Sequence, residues 1–337
     1  MTHSRPTIRE LLDSGSLAPR RDLGQNFVAD PNTVRRIAEL AAVGVGNHVV
    51  EIGAGLGSLT LALADTGADI TAIEVDRGIV PILRNVVAER PNVTVVEADA
   101  MRLDWQQLLA GHDGWILVAN LPYNVATPLI CDLLDDVRAI TRMLVMVQRE
   151  AAERFAAAPR TPAYGAVSVK TSYWGTAKVV GHVPASVFVP RPNVESALVE
   201  ITRHDPPATD PDTLFTLVRA GFGQRRKMLR RSLAGIVSPD TYDAAGIAPT
   251  ARPEELDVDD WCRLTEAHLS ATTKPTAIRP ARIPSRDGIA SSTSDRSRRH
   301  IDDPACPCEA HPPLADHRSP QRRLPPDRRR DGQPRPA

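Results

Sequence analysis

Val49-Val50-Glu51-Ile52-Gly53-Ala54-Gly55-Leu56-Gly57 reads as a short apolar strand running into a tight glycine turn, which Ser58 to Thr66 continues as a helix. Glycines are needed where a backbone must turn sharply and let a ligand approach its N–H groups. Strand, glycine turn and helix in that order predict an α/β fold built on a parallel sheet. Asp69 to Val75 predicts a second strand ending in Glu74-Val75-Asp76. An acidic side chain about 20 residues beyond such glycines is where a ribose diol is held. Gly78 to Arg90 follows as a helix with Ile79, Ile82, Leu83, Val86 and Val87 on one face. Val93 to Val96 is the third strand, ending near Asp99. That carboxylate suits an adenine amino group, and equally a helix N-cap.

The glycine spacing is G-x-G-x-G, whereas the dinucleotide fingerprint is G-x-G-x-x-G around a pyrophosphate. S-adenosylmethionine carries ribose and adenine but no phosphate. Glu51, just ahead of the glycines, would repel a pyrophosphate and favour an amino group or a sulfonium. The residues therefore point to this methyl donor rather than to a nicotinamide cofactor.

Further on, the apolar run Trp115 to Ala119 is closed by Asn120-Leu121-Pro122-Tyr123. An apolar run without alternation is a buried strand of a parallel sheet, and ligands of such sheets bind at the carboxyl edge where it stops. The exocyclic amine of a nucleobase is a poor nucleophile because its lone pair is delocalised into the ring. Two acceptors, the Asn120 side-chain oxygen and the Leu121 carbonyl, can draw that nitrogen towards tetrahedral geometry. Pro122 stiffens the turn, and Tyr123 offers a face for stacking, worth ~1–3 kcal/mol per base. The same four residue types also make an ordinary strand-ending turn. Only the surrounding motifs separate the two.

Upstream, Thr7 to Leu17 predicts a helix, and Gln25-Asn26-Phe27 an arm folded over a cofactor. Asp30-Pro31 is an N-cap with proline at the first helical position, opening Asn32 to Ala42. Downstream, Thr127 to Leu134 is a covering helix, Met143 to Val147 the fifth strand and Gln148 to Ala158 a helix. Lys178 to Val183 and Glu195 to Thr202 alternate as an antiparallel pair. Between them, prolines on both sides of Phe188 fix a loop that could present its ring to a ligand. After Asp205 the pattern is helical only: Asp212 to Phe222, Arg225 to Leu233, and Glu254 to Leu269. Arg225, Arg226, Lys227, Arg230 and Arg231 gather on the second of these helices, with Met228 and Leu229 turned inward. Such a cluster beside a base-modifying pocket is a contact for a nucleic-acid backbone. These breaks divide the chain into 1–205 with its N-terminal arm, a helical RNA-contacting domain at 206–270, and a Pro/Arg-rich tail at 271–337 expected to be disordered.

In 337 residues, Lys plus Arg and Asp plus Glu balance at 41 each, so any nucleic-acid contact must come from a local basic patch. The sequence has no eighteen-residue apolar run and no basic-then-apolar leader, and its four cysteines form no disulfide framework. A cytoplasmic protein without a membrane partner is expected. Cys306 and Cys308 between His300 and His311 lie in sequence with no frame to hold ligands, so no metal is expected.

Taken together and in order, Gln25-Asn26-Phe27, Glu51 to Gly57, Glu74 to Asp76, Asp99, Asn120 to Asn124 with Thr127-Pro128, Phe188 to Ala197, and Phe222 to Lys227 resemble the ribosomal RNA small-subunit adenine-N6,N6-dimethyltransferases. The resemblance runs from about residue 7 to 269. It implies a Rossmann-like class I methyltransferase domain, with a mostly parallel seven-stranded sheet whose last strand is antiparallel, and a small all-helical carboxyl-terminal domain. It further implies S-adenosylmethionine as donor, and two adjacent adenosines in the 3′-terminal hairpin loop of 16S RNA as acceptors, in the small subunit or its precursor. The protein would act as a monomer. Carried over by position, Asn26, Val28, Gly53, Glu74, Asp99 and Asn120 line the donor site, joined on chemical grounds by Glu51 and Gly55. Asn120, Leu121, Pro122, Tyr123 and Phe188 would handle the base. The rivals are the related 23S RNA adenine methyltransferases of macrolide resistance, a non-catalytic assembly or transcription factor on the same fold, and a nicotinamide dehydrogenase.

Overall fold

The computed structural model describes residues 2–273; the expected disordered tail therefore lies outside the described residues, apart from its first three positions. In order, the elements are α1 (Arg5–Ser14), β1 (Phe27–Val28), α2 (Pro31–Ala41), β2 (His48–Ile52), α3 (Ser58–Ala64), β3 (Asp69–Glu74) and α4 (Ile79–Val86). Then come β4 (Val93–Glu97), α5 (Trp105–Leu108), β5 (Trp115–Asn120), α6 (Tyr123–Asp136), β6 (Ile140–Gln148), α7 (Arg149–Phe155), α8 (Ala166–Trp174) and β7 (Gly175–Val183). Last are β8 (Phe188–Val189), β9 (Ser196–Arg203), α9 (Pro211–Gly223), α10 (Leu229–Ser232), α11 (Pro239–Ala245) and α12 (Val258–Thr273).

Seven strands form one sheet in the order β4-β3-β2-β5-β6-β9-β7. β2 pairs in parallel with β3 on one side and β5 on the other, so the strand order reverses beside it. That reversal opens a crevice at the carboxyl ends of β2, β3 and β5, where open α/β sheets take their ligands. The resemblance had implied an antiparallel last strand, and β9 runs antiparallel to both β6 and β7. Lys178 faces Glu200 across this pair and bonds to it at 2.8 Å.

Local sequence explains the placement of the elements. β2 and β5 are apolar and buried because helices cover both faces of the sheet. At the start of α2, Asp30 accepts from the Thr33 N–H at 2.9 Å, with Pro31 at the first helical position. The loop expected to be rigid around Phe188 contains a strand: β8 pairs antiparallel with β1, Phe27 opposite Val189 and Val28 opposite Phe188. Neither two-residue strand shows a period in sequence, so their pairing was not legible there.

Helices α9 to α12 share one apolar cluster with the sheet, in which Leu117, Leu133 and Tyr173 continue into Leu214, Phe215 and Trp261. The basic segment differs from expectation. α9 stops at Gly223, residues 224–228 form a turn, and α10 is a single short turn of helix starting at Leu229. Leu229 is buried, but Met228 is 39% exposed rather than turned inward. The chain leaves helical geometry there because Leu229 and Arg230 donate instead to the carbonyls of Ala251 and Pro249.

Gly221 on α9 offers a test of this packing. A Cβ there would lie 2.7 Å from the ring of the fully buried Trp261. Alanine is the better helix former by ~1 kcal/mol, but overpacking a rigid ring costs ~1–3 kcal/mol. Gly221→Ala is therefore expected to lower the melting temperature; an unchanged or higher value in thermal unfolding would show that the ring gives way.

Candidate active site

The glycine turn takes the conformation for which its residues were singled out. Gly53, Gly55 and Gly57 have φ of +72°, +56° and +84°, a region open to glycine and strained for other residues. Gly55 also needs its missing side chain, since a Cβ would sit 3.1 Å from the Phe27 ring. The turn is held from β3: Glu74 Oε2 accepts from the Gly55 N–H at 2.7 Å, and Oε1 accepts from the Val75 and Asp76 N–H groups at 3.0 and 2.9 Å. Burial pushes the Glu74 carboxyl up, and these backbone donors oppose the shift. Glu51 lies deeper. It is 1% exposed, its Oε2 has no hydrogen-bond partner, and burial, with Glu74 adding to it, pushes its carboxyl up to about 8.

The arm closes over the turn through side chains that sequence placed there. Gln25 Nε2 donates to Asp76 Oδ2 at 2.7 Å. Asn120 Nδ2 donates to the Asn26 carbonyl at 3.0 Å. A carbonyl only accepts, so this bond fixes the orientation of the Asn120 amide and leaves its oxygen as the unengaged acceptor. The next residue is anchored from β6, the Leu121 N–H donating to the Met146 carbonyl at 3.1 Å. Tyr123 is held from β9, where its hydroxyl and that of the fully buried Ser196 share a bond of 2.6 Å.

These groups surround one cavity of about 900 Å³, mouth included, lined among others by Asn26, Val28, Glu51, Gly53, Gly55, Glu74, Asn120, Leu121, Pro122 and Tyr123. A second hollow of about 740 Å³, open mouth included, adjoins it across Leu23, Gly53, Val75 and Pro122, and is lined by Asp99 and Met101. Asp99 Oδ1 accepts from the Met101 N–H at 3.0 Å. Val75 and Met101 leave 46% and 42% of their surface open there. The pair of hollows fits S-adenosylmethionine. An orphaned buried carboxylate suits the amino or sulfonium charge, Glu74 in the first hollow, one residue before the shared Val75, suits the ribose, and Asp99 between two exposed apolar side chains suits the adenine.

Two expectations are corrected. Phe188 lines neither hollow; it is 1% exposed and packs in the cluster of Val28, Val34 and Ile37. The β1–β8 pairing draws it under the arm, so in this structure its ring supports the arm rather than facing a base. Arg225 is committed internally, its Nε donating to Glu254 Oε2 at 2.6 Å and its Nη2 to the Pro162 carbonyl at 3.0 Å. Arg226, Lys227, Arg230 and Arg231 are exposed. Two contributors went unread in sequence. Ser196 stood in a quoted motif with no role given, and His3, which also lines the cavity, carries no local signal at all.

Comparison with known proteins agrees with the fold. Residues 17–268 match the family described as ribosomal RNA adenine dimethylase. The ribosomal RNA small subunit methyltransferase A of Cutibacterium acnes is 44% identical over 282 residues, covering 79% of this chain and 94% of the relative. That of Bifidobacterium longum is 43% identical, covering 77% and 91%. Among solved structures, a dimethyladenosine transferase from Plasmodium falciparum superposes with a TM-score of 0.64 at 22% identity, over 72% of this chain and 97% of its own. The 23S rRNA methyltransferase ErmE gives 0.55 at 27%, over 72% and 98%.

Glu51 makes the site's charge measurable. With its carboxyl raised to about 8, the folded protein keeps a proton that the unfolded chain releases above the ordinary value of 4.5. The stability tied to this group is complete below that ordinary value and is lost as pH rises through the folded one. Glu51→Gln should therefore gain most in melting temperature, relative to the parent, at pH 8 and least at pH 5. A difference independent of pH would mean that Glu51 is already ionised in the fold.

Proposed function

The chain belongs to the ribosomal RNA adenine dimethylase family, and on that premise we propose that it dimethylates the N6 amino groups of two adjacent adenosines in the 3′-terminal hairpin loop of 16S rRNA, with S-adenosylmethionine as donor. The substrate is the small ribosomal subunit or its precursor, met in the cytoplasm by a monomer of this chain. Support comes from the two relatives named as small-subunit methyltransferases and from one feature of the geometry. That feature is the Asn120 amide, whose nitrogen is tied to the Asn26 carbonyl so that its oxygen is left to accept from a substrate.

The chain's own residues contribute position rather than acid–base chemistry. When bound, the donor supplies an electrophilic methyl on a sulfonium. Asn120 Oδ1 and the Leu121 carbonyl accept the two amine hydrogens and free the nitrogen lone pair; among the described residues no N–H donates to that carbonyl. Tyr123 stacks on the base once it has left its stack in the loop, and water takes the proton. Fixing geometry in this way is worth several orders of magnitude in rate. Glu74, Asp99 and Glu51 hold the ribose, adenine and amino-acid parts of the donor. Arg226, Lys227, Arg230 and Arg231 hold RNA phosphates, while Arg225 keeps the 224–228 turn in place.

Incubation with labelled donor and under-methylated small subunits, followed by mass spectrometry of the nucleosides, should give N6,N6-dimethyladenosine at two neighbouring positions. In the second transfer one amine hydrogen is gone, so one acceptor is left unpaired at a cost of ~1–3 kcal/mol if buried. Asn120→Ala should accordingly slow the first transfer more than the second. A product that stops at monomethyladenosine, or label confined to 23S RNA, would overturn the assignment.

Neutralising Arg226, Lys227, Arg230 and Arg231 together should weaken RNA binding and flatten its salt dependence by about 0.7–0.9 log unit for every phosphate that these side chains no longer neutralise. A salt slope equal to the parent's would return these side chains to the solvated surface.

A further inference from the structure

The first described residues lie ahead of the matched region 17–268, and the reaction above makes no use of them. They nevertheless reach the donor cavity, where His3 and Ile8 both line the wall beside Glu51, Leu56 and Ser58. His3 is 6% exposed. Its ring Nε2 donates to the Leu56 carbonyl at 2.8 Å, and its backbone N–H donates to Ser58 Oγ at 3.1 Å. Two residues further on, the Arg5 guanidinium donates to the carbonyls of Ser186 and Phe188, the latter at 3.4 Å. Ile8 then packs with Leu56, Phe27 and Ile79.

One short segment is thus pinned at two places, to the glycine turn at the cavity wall through His3 and, outside the cavity lining, to the loop around β8 through Arg5. With Nε2 committed to a carbonyl, the other ring nitrogen of His3 has no partner among the described residues. Burial holds the imidazole below its ordinary range, so this nitrogen is an acceptor at neutral pH. No lysine or arginine lines the cavity among the described residues.

We propose that His3 to Ile8 form a strap over the amino-acid end of the methyl-donor cavity, with His3 as a positioning residue that retains the bound donor. The inference rests on the donor reading of that cavity. A ligand enclosed between the glycine turn and the arm leaves only as fast as the strap opens, so the strap acts on release more than on capture.

The test uses the full chain and S-adenosylhomocysteine, with affinity from calorimetry and release followed by stopped-flow. His3→Ala should speed release ~10-fold with a smaller change in association, in keeping with affinity being set mainly through dissociation. Arg5→Ala, at an exposed residue, should shift release in the same direction by a smaller factor. His3→Gln keeps an N–H near the Nε2 position and should restore much of the retention, which a mere loss of packing would not predict. Release rates in His3→Ala and Arg5→Ala indistinguishable from the parent's would overturn the strap. Should His3→Ala fail to fold, Arg5→Ala decides alone. A parent that binds neither S-adenosylhomocysteine nor S-adenosylmethionine would overturn the donor reading, and the strap with it.

Discussion

A single buried carboxylate organises the active half of this protein. Glu74 accepts three backbone N–H groups, one from the glycine turn and two from the chain leaving β3. Burying an unpaired charge costs far more than burying a paired one, and these donors are what make Glu74 tolerable at 6% exposure. Through them it fixes the turn against the end of β3, and Asp76, two residues on, takes the side chain of Gln25 from the arm. Glycine turn, end of β3 and arm are set by one cluster. The neighbouring Glu51 has no such donors. With Glu74 satisfied by the backbone, the unpartnered Glu51 oxygen in a cavity without a lysine or arginine in its described lining is the group that a cation could engage.

The turn from Asn120 to Tyr123 is fixed in a complementary way. Asn120, Leu121 and Tyr123 are each anchored to a different element: the arm, β6 and β9. Each anchor removes a different freedom, namely the flip of the amide, the path of the backbone and the swing of the ring. The sequence distances spanned are large, 94 residues for Asn120 and 73 for Tyr123. Side chains held in this way need little reorganisation as the reaction proceeds.

Much of this was legible because it is local. The G-x-G-x-G turn, the Asp30-Pro31 cap, the apolar run ahead of Asn120 and the alternation around Lys178 and Glu200 each carry their signal within a few residues, and each forms as read. What escaped is non-local. Phe188 was expected at a ligand because prolines flank it, yet its direction is set by pairing with Phe27 and Val28, which no period in either stretch reveals. Arg225 looked like its basic neighbours, yet Glu254 claims it from 29 residues away. Met228 was assigned to the inside by a helical period that the turn at 224–228 interrupts. His3 is a lone histidine with nothing around it to mark a function, and only the fold brings it to Leu56.

The insertion of β9 between β6 and β7 has a consequence for how the molecule comes into being. Every strand from β3 to β6 can join the growing sheet beside a partner already synthesised, whereas β7 has no neighbour until Ser196–Arg203 appears. Up to that point a nascent chain presents the outer edge of β6, with its apolar segment from Met143 to Val147, as an unpaired template. The donor-binding half is complete in covalent terms well before that edge is sealed, but the hydroxyl partner of Tyr123 arrives with the strand that seals it. On the ribosome that makes it, the chain therefore acquires the hydroxyl partner of Tyr123 only at the step that also pairs the open edge of β6.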